Sequence, residues 1–362
     1  MVEIAIKRAY NEALNSGYYT GRDGLTGKYD NVRMFWEDEI IRIFVRPYIE
    51  AIEQKKGRIK VLDMGCGFGD GYGLLAALSD KIEYKGFDIN ENFIKEAGRI
   101  YKDKGKASFE VADFSSGLPF EEEYDFYFTS YGSLSHNNDE QTIRLLGDIA
   151  DCSDDCFVLC DWLGAYSYEW PRLWGEEWMD YRISYLPESG EESFPLRLMP
   201  PENVFKMIRA ASNRIKVEEI FDRSIFVGRH MDTSEYNDYC KPLRLAINSL
   251  FEHNVYTDFE SLLITYHSQE DFPALNSFFE DFSRHWNAFV GGMMGGDCET
   301  KIKIPEMEEL EQMVKNAPRV KISNYRENVI EPQLGYALRN LEMRLQRGMG
   351  TAHGLLAILR IA

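Results

Sequence analysis

Gly65, Gly67 and Gly69 stand at alternate positions just after the apolar pair Val61 and Leu62, inside the run VLDMGCGFGDG of residues 61–71. Here a buried strand breaks into a turn whose missing Cβ atoms let main chain bend sharply and approach a ligand closely. The helix expected after it offers free N–H groups at its start, which suits a nucleotide-like ligand. Carboxylates stand where they could hold such a ligand from the next strand ends. Asp88 closes the strand YKGFDI about 20 residues beyond the turn, where a carboxylate accepts hydrogen bonds from both ribose hydroxyls. Asp113 follows in FEVADF.

The glycine spacing is G-x-G-x-G rather than the G-x-G-x-x-G of dinucleotide sites, with Asp70 in the place of the third glycine. The segment DMGCGFG, with acidic Asp63 ahead of the glycines, resembles the first motif of the class I S-adenosylmethionine (SAM)-dependent methyltransferases. The strands YKGFDI, FEVADF, YDFYFTSYG (124–132) and CFVLCDWLG (156–164) follow in the order a doubly wound sheet requires. The resemblance implies SAM as cofactor and S-adenosylhomocysteine (SAH) as product. It assigns Asp63, Gly65, Cys66, Gly67, Gly69, Asp88, Ile89, Asp113, Phe114 and Ser130 to the cofactor site, with Asp88 on the ribose, Asp113 near the adenine amino group and Phe114 beside the ring. In such enzymes an N-terminal segment folds over the cofactor, so Tyr18 and Tyr19 are candidates to close the pocket; a surface loop is the alternative. Taken singly, the glycines suit any strand-to-helix turn, Asp88 a helix cap and Asp113 a turn.

Ligands of open α/β sheets lie beyond the carboxyl ends of the strands, so the loops SYGSLSHNND and DWLGAYSYEWPRLWGEEW should face the methyl acceptor. Tyr166, Trp170, Trp174 and Trp178 recur every fourth residue, which predicts one side of a helix after the fifth strand. Tyr166, Glu169, Trp170 and Trp174 are the candidate acceptor wall; a helix packed on the core is the other reading of the same spacing. Methyl transfer is in-line displacement at an activated carbon, so alignment is the protein's main task. An amine or hydroxyl acceptor also benefits from a base. His136 is the first candidate and Tyr131 the second, with Asp161 and Glu169 in reserve. Asn137 and Asn138 are placed to cap the helix DEQTIRLLGDIA.

The fold expected is a seven-stranded, mostly parallel α/β sheet with helical additions. Residues 1–56 form an N-terminal helical cap, including an amphipathic helix over 31–54 with Trp36, Ile40, Phe44 and Tyr48 on one side and Pro47 as a kink. The SAM-binding core spans 57–230, with RIKVEEIF and SIFVGRH supplying the sixth strand. It is completed by 346–362, where GLLAILRI is the seventh strand; the alternative makes SIFVGRH the seventh strand and the tail an appended element. Residues 231–345 are a mainly helical insertion that serves as a lid or as a homodimer contact. Its pattern predicts helices around Leu243–Asn254, Leu275–Phe289, Met307–Lys315 and Gln333–Arg347, a strand at 261–267, and a loop at 291–296.

Across 362 residues the net charge is −19, from 60 acidic against 41 basic residues, a surface that repels phosphate backbones and argues against nucleic-acid substrates. No apolar run is long enough to span a membrane. Six cysteines in a chain without a secretory signal pattern suggest a cytoplasmic protein, and the C-x3-C-x3-C of Cys152, Cys156 and Cys160 matches no cluster spacing. Scattered histidines suggest no metal site. The expected function is methyl transfer to a hydroxyl, amine or carbon of a small molecule. The alternatives are a non-catalytic SAM-binding scaffold, an NAD-dependent oxidoreductase and a macromolecule methyltransferase.

Overall fold

Strands buried on both faces carry near-continuous apolar runs, and the centre of this sheet is written that way. The computed structural model describes residues 2–15, 28–181, 193–229, 243–295 and 305–362. Its first five strands are β1 (Ile59–Met64), β2 (Ile82–Asp88), β3 (Ala107–Val111), β4 (Phe126–Phe128) and β5 (Cys156–Gly164). They pair in parallel in the order β3-β2-β1-β4-β5. The chain then forms β6 (Trp178–Tyr181), β7 (Phe194–Met199) and β8 (Ile215–Arg223), and ends in β9 (Gly354–Ile361). β9 runs antiparallel between β5 and β8, which makes the terminal strand an interior one and explains why Leu355 to Leu359 are wholly buried. The sheet is the expected mostly parallel α/β type.

Three local expectations are corrected. β4 contributes only three residues to the ladder rather than the nine of 124–132, because Tyr131 (φ 56°) and Gly132 turn the chain out of the sheet. β8 stops at Arg223, and residues 224–229 leave the sheet through Ser224 at φ 67°; His230 lies outside the described residues. Tyr166, Trp170, Trp174 and Trp178 do not share a helix. Pro171 forbids helical geometry at Trp170 (φ −138°, ψ 58°), a single 3-10 turn follows over Pro171–Leu173, and Trp178 starts β6. β6 and β7 form an antiparallel pair whose far strand extends the last two residues of β5 beyond the end of β4.

Helices flank the sheet: α1 (Val2–Asn15), α2 (Asp38–Lys56), α3 (Asp70–Ala76), α4 (Glu91–Ile100), α5 (Asp139–Cys152) and α6 (Pro201–Ala211). A π-helical turn over Arg33–Glu37 leads into α2, which continues through Pro47 and stops at left-handed Gly57. α5 starts at a reciprocal cap between Asn138 and Gln141. Between β8 and β9 lie α7 (Leu243–Ser249), α8 (Pro273–Met293), α9 (Pro305–Asn316) and α10 (Glu331–Leu345). The apolar stripe of α8, including Phe278, Phe279, Phe282, Trp286 and Phe289, is buried. The segment 261–267 is not a strand: a 3-10 turn over Phe259–Leu262 precedes an unpaired stretch whose Ile264 N–H and C=O are both bonded by the Asn287 amide at 2.7 Å. Of GGMMGG, Gly291 to Met293 end α8 and Gly296 lies outside the described residues. Among the described residues no helix is long and apolar enough to cross a membrane.

One buried ion cluster ties α7 to the start of α2. Arg244 donates to both oxygens of Asp30 (2.7 and 2.8 Å), to Glu37 (2.8 Å) and to the Val227 carbonyl (3.0 Å). Asn248 adds a bond to Asp30 at 3.0 Å. Removing the guanidinium strands two buried carboxylates, a change that costs about 3–5 kcal/mol. Arg244→Met should therefore lower the unfolding free energy by that order in urea titrations. A loss under about 1 kcal/mol would mean that the cluster is replaceable by packing.

Candidate functional site

The turn after β1 is pinned from both sides. Gly65 and Cys66 N–H groups both donate to the Phe87 carbonyl at 2.9 Å, and the Gly67 N–H donates to Asp88 Oδ2 at 3.0 Å. These three amides of the turn are thus engaged within the fold, while the helix that offers its first N–H groups begins at Asp70. Gly65 adopts φ 79°, and a Cβ there would meet Ser133 Oγ at 3.0 Å. Gly86 on β2 lets the turn sit this low, since its Cβ would come within 2.9 Å of the Cys66 side chain. Burial pushes the Cys66 thiol up, consistent with a packing role.

Beyond the strand ends lies a cavity of about 550 Å³. It brings together Gly65, Cys66, Gly67, Asp88, Ile89, Asp113, Phe114, Ser130, Tyr131 and His136 from the sequence-derived set. Asp88 Oδ1 accepts from Asn90 N–H at 2.8 Å, and burial raises its carboxyl above the ordinary range against these hydrogen bonds. Asp113 is held by the Ser115 N–H (2.8 Å) and hydroxyl (2.7 Å). The helix α1 lies over this half: Asn11 accepts from the side chains of Asn90 and Asn92 at 3.1 Å, and Ile6, Lys7 and Tyr10 line the cavity.

His136, in a 3-10 turn after β4, stacks on Phe194 with ring centroids 5.7 Å apart, and its Nε2 lies 3.2 Å from the Tyr10 hydroxyl. Burial lowers its pKa to about 4, and its Nδ1 makes no hydrogen bond among the described residues. Tyr131 is fixed from three directions. Its N–H donates to Asp161 Oδ2 at 2.6 Å, its hydroxyl donates to Asp38, and the Arg33 guanidinium lies 3.0 Å from its ring centroid. Arg223 stands 4.7 Å from that ring and pairs with Asp161 at 3.1 Å.

Other candidates lie elsewhere. Asp63 is wholly buried beneath the turn, where the Tyr84 hydroxyl donates to it, and Gly69 caps α3 against Phe109 and Tyr101. Tyr166, Glu169, Trp170 and Trp174 do not line the cavity. Trp170 and Trp174 are core residues whose indoles donate to the carbonyls of Gly164 (3.0 Å) and Ser167 (2.8 Å), and Glu169 is buried against His353 at 2.8 Å. Tyr166 reaches Glu202 at 3.4 Å, and Asp161 is placed behind Tyr131. Tyr18 and Tyr19 lie outside the described residues. The free thiols Cys152, Cys156 and Cys160 line no part of the cavity, and among the described residues no His/Cys/Asp/Glu group could hold a metal ion.

Sequence reasoning missed the charged end of the cavity: Lys28, Arg33, Glu37, Arg223, Arg229 and His353. One signal was available, because Arg33 extends the face of Trp36, Ile40 and Phe44 and is a charge on an otherwise apolar stripe.

Residues 61–154 match the family model described as "Methyltransferase domain". No curated protein matches the chain. Solved structures similar to it include the magnesium protoporphyrin IX methyltransferase of Synechocystis with bound SAH, at 14% identity over 62% of this chain and 94% of that one (TM-score 0.42). A SAM-dependent methyltransferase of Methanosarcina mazei matches at 18% identity over 45% and 82% (TM-score 0.36). A [4+2]-cyclase matches at 11% identity over 87% and 80% (TM-score 0.37).

Asp63 sets a pH test of the turn's foundation. Burial raises its carboxyl from 3.8 to about 8, so the folded chain keeps a proton that the unfolded chain releases. Its stabilising contribution is complete below the unfolded value and is lost as pH rises through about 8. Asp63→Asn retains an acceptor for Tyr84 and should flatten the fall in melting temperature across that window. Parallel pH profiles of the two proteins would contradict the assignment.

Proposed function

We propose, on the premise that residues 61–154 are a class I SAM-dependent methyltransferase domain, that this chain transfers a methyl group to a hydroxyl or amine of a small molecule bound in the cavity beyond the sheet. The observation that carries the reading is the continuity of that cavity. It runs from Asp88, Asp113 and the glycine turn to a second half walled by Tyr131, His136 and buried arginines.

The residues fit the cofactor. Each Asp88 oxygen accepts one main-chain N–H and keeps a lone pair for a ribose hydroxyl. The bare face of Gly65 adjoins Ser133 and Phe114, where a side chain would fill the space that a ligand needs. SAM supplies a methyl group already activated on a sulfonium. The chain's task is then to hold an acceptor atom in line and to exclude water. Ser130 and Tyr131, at the end of β4, stand where that alignment is set, and Asp161 and Asp38 fix the Tyr131 backbone and phenol.

His136 is the group that receives a proton in this reading. Burial keeps it neutral at any pH well above 4, with a ring nitrogen free of its proton. The charge that develops on the attacked acceptor atom is what drives that atom's proton onto the ring during transfer, and the Tyr10 hydroxyl lies against Nε2. The enclosed volume and the net charge of −19 support a small acceptor rather than a polyanion.

Calorimetry with SAM, SAH and NAD tests the cofactor. SAH should bind and NAD should not, and Asp88→Ala should weaken SAH roughly tenfold to hundredfold through loss of charge-assisted hydrogen bonds. Absence of SAH binding would overturn the proposal. NMR titration of His136 tests the base: its imidazole resonances should stay constant from pH 8 down to about 5 and move near 4. Protonation around its ordinary value would show that the ring is solvated rather than held for the acceptor.

A further inference from the structure

The exterior of this protein is strongly acidic, yet part of the cavity wall is built around guanidinium groups. Arg223 is wholly buried and lines the cavity, and among the described residues its Nε and Nη1 make no hydrogen bond. Its Nη2 donates to Asp161 at 3.1 Å. Arg33, 5% exposed, lines the same end. It is ion-paired with Asp38 at 2.9 Å and lies 3.6 Å from Asp70, and its Nε and Nη2 make no aligned hydrogen bond among the described residues. Buried donors left without acceptors are costly, so Arg223, whose side chain lines the cavity, is a place where a ligand's oxygens would be favourable.

Position in the sheet separates this end from the cofactor's half. Asp88 and Asp113 follow β2 and β3, whereas Arg223 ends β8, which stands four strand spacings, about 19 Å, from β1. Tyr131 lies between the halves, with Arg33 and Arg223 both within reach of its ring. Several nearby carboxylates have partners of their own: Asp30 and Glu37 pair with Arg244, Asp70 with Lys28 and Tyr29, and Asp161 Oδ2 with Arg223 and the Tyr131 N–H.

Resting on the methyltransferase reading, we propose that the acceptor carries a carboxylate, taken by the Arg223 fork with Arg33 assisting across the Tyr131 ring. A carboxylate meets a guanidinium along an edge that includes Nη2, and the Nη2 hydrogen not used by Asp161 completes such an edge with Nη1 or Nε, so two parallel charge-assisted bonds form where a lone carbonyl makes one. The acceptor is thereby anchored at one end, with its nucleophilic atom left for the Ser130 and His136 side of the cavity.

The test uses the full chain loaded with SAH and titrated with acetate and benzoate against acetamide and benzamide, followed by calorimetry and melting temperature. The carboxylates should bind the loaded protein and the amides should not. The paired variant Asp161→Asn/Arg223→Gln removes the guanidinium without stranding a charge. It should bind SAH like the parent and the carboxylates roughly tenfold to hundredfold more weakly. If it does not fold, Arg223→Lys, which keeps the charge but loses the fork, should weaken benzoate about tenfold. Equal binding of acids and amides, or equal carboxylate binding by the variants, would overturn the proposal and leave the cofactor reading intact. Loss of SAH itself in the variants would assign the arginine to the cofactor and likewise overturn it. Failure of the parent to bind SAH would bring down both readings.

Discussion

The Asp88 carboxylate bridges two main-chain donors, Gly67 N–H at 3.0 Å and Asn90 N–H at 2.8 Å, and the candidate site is organised around that bridge. One oxygen holds the glycine turn down on the end of β2, and the other starts α4 through its Asn90 cap. Because Gly65 and Cys66 give their N–H groups to the neighbouring Phe87 carbonyl, the turn cannot drift from the strand that carries Asp88. A ligand meets a rigid edge whose shape is set before it arrives, so little ordering has to be supplied on binding.

The far half of the cavity uses a different principle. Charges that would be worth little on the surface are sunk here, where each must be paired or hydrogen-bonded. Arg244, Arg223 and Arg33 are the centres of this arrangement, and their partners Asp30, Glu37, Asp38, Asp161 and Asp70 come from the start of α2, β5 and the glycine turn. The strained Tyr131, at φ 56°, is tolerated because its N–H, hydroxyl and ring are each engaged.

The cofactor half was legible in the sequence because its parts are local: a strand, a glycine turn and carboxylates at the next strand ends. Asp88 was indicated by its spacing from the turn and Asp113 by the family resemblance, and both line the cavity. The terminal strand was legible from its unbroken apolar run. The aromatic wall was not, because a four-residue recurrence of Tyr166, Trp170, Trp174 and Trp178 mimics a helix, and the deciding residue is Pro171 between them. Apart from the charge of Arg33 on an apolar helix face, the charged end was hidden for a topological reason. Arg33 and Arg223 are 190 positions apart and meet across the Tyr131 ring only after β8 is carried alongside β9 and α2 packs on the sheet.

That geometry also bears on the helical insertion. Glu37 lines the cavity and is held by Arg244 of α7, while Glu342 of α10 accepts from the Trp36 indole at 3.1 Å and from the Ser224 and Ile225 N–H groups just past β8. The insertion thus grips both chain segments that deliver Arg33 and Arg223. Its helices fix the distance between the two guanidinium groups, so changes in α7 or α10 alter the spacing of the donors while leaving Asp88 and the glycine turn where they are. Contacts local in sequence hold the glycine turn on Asp88, and contacts spread over the chain hold the guanidinium groups of the other half.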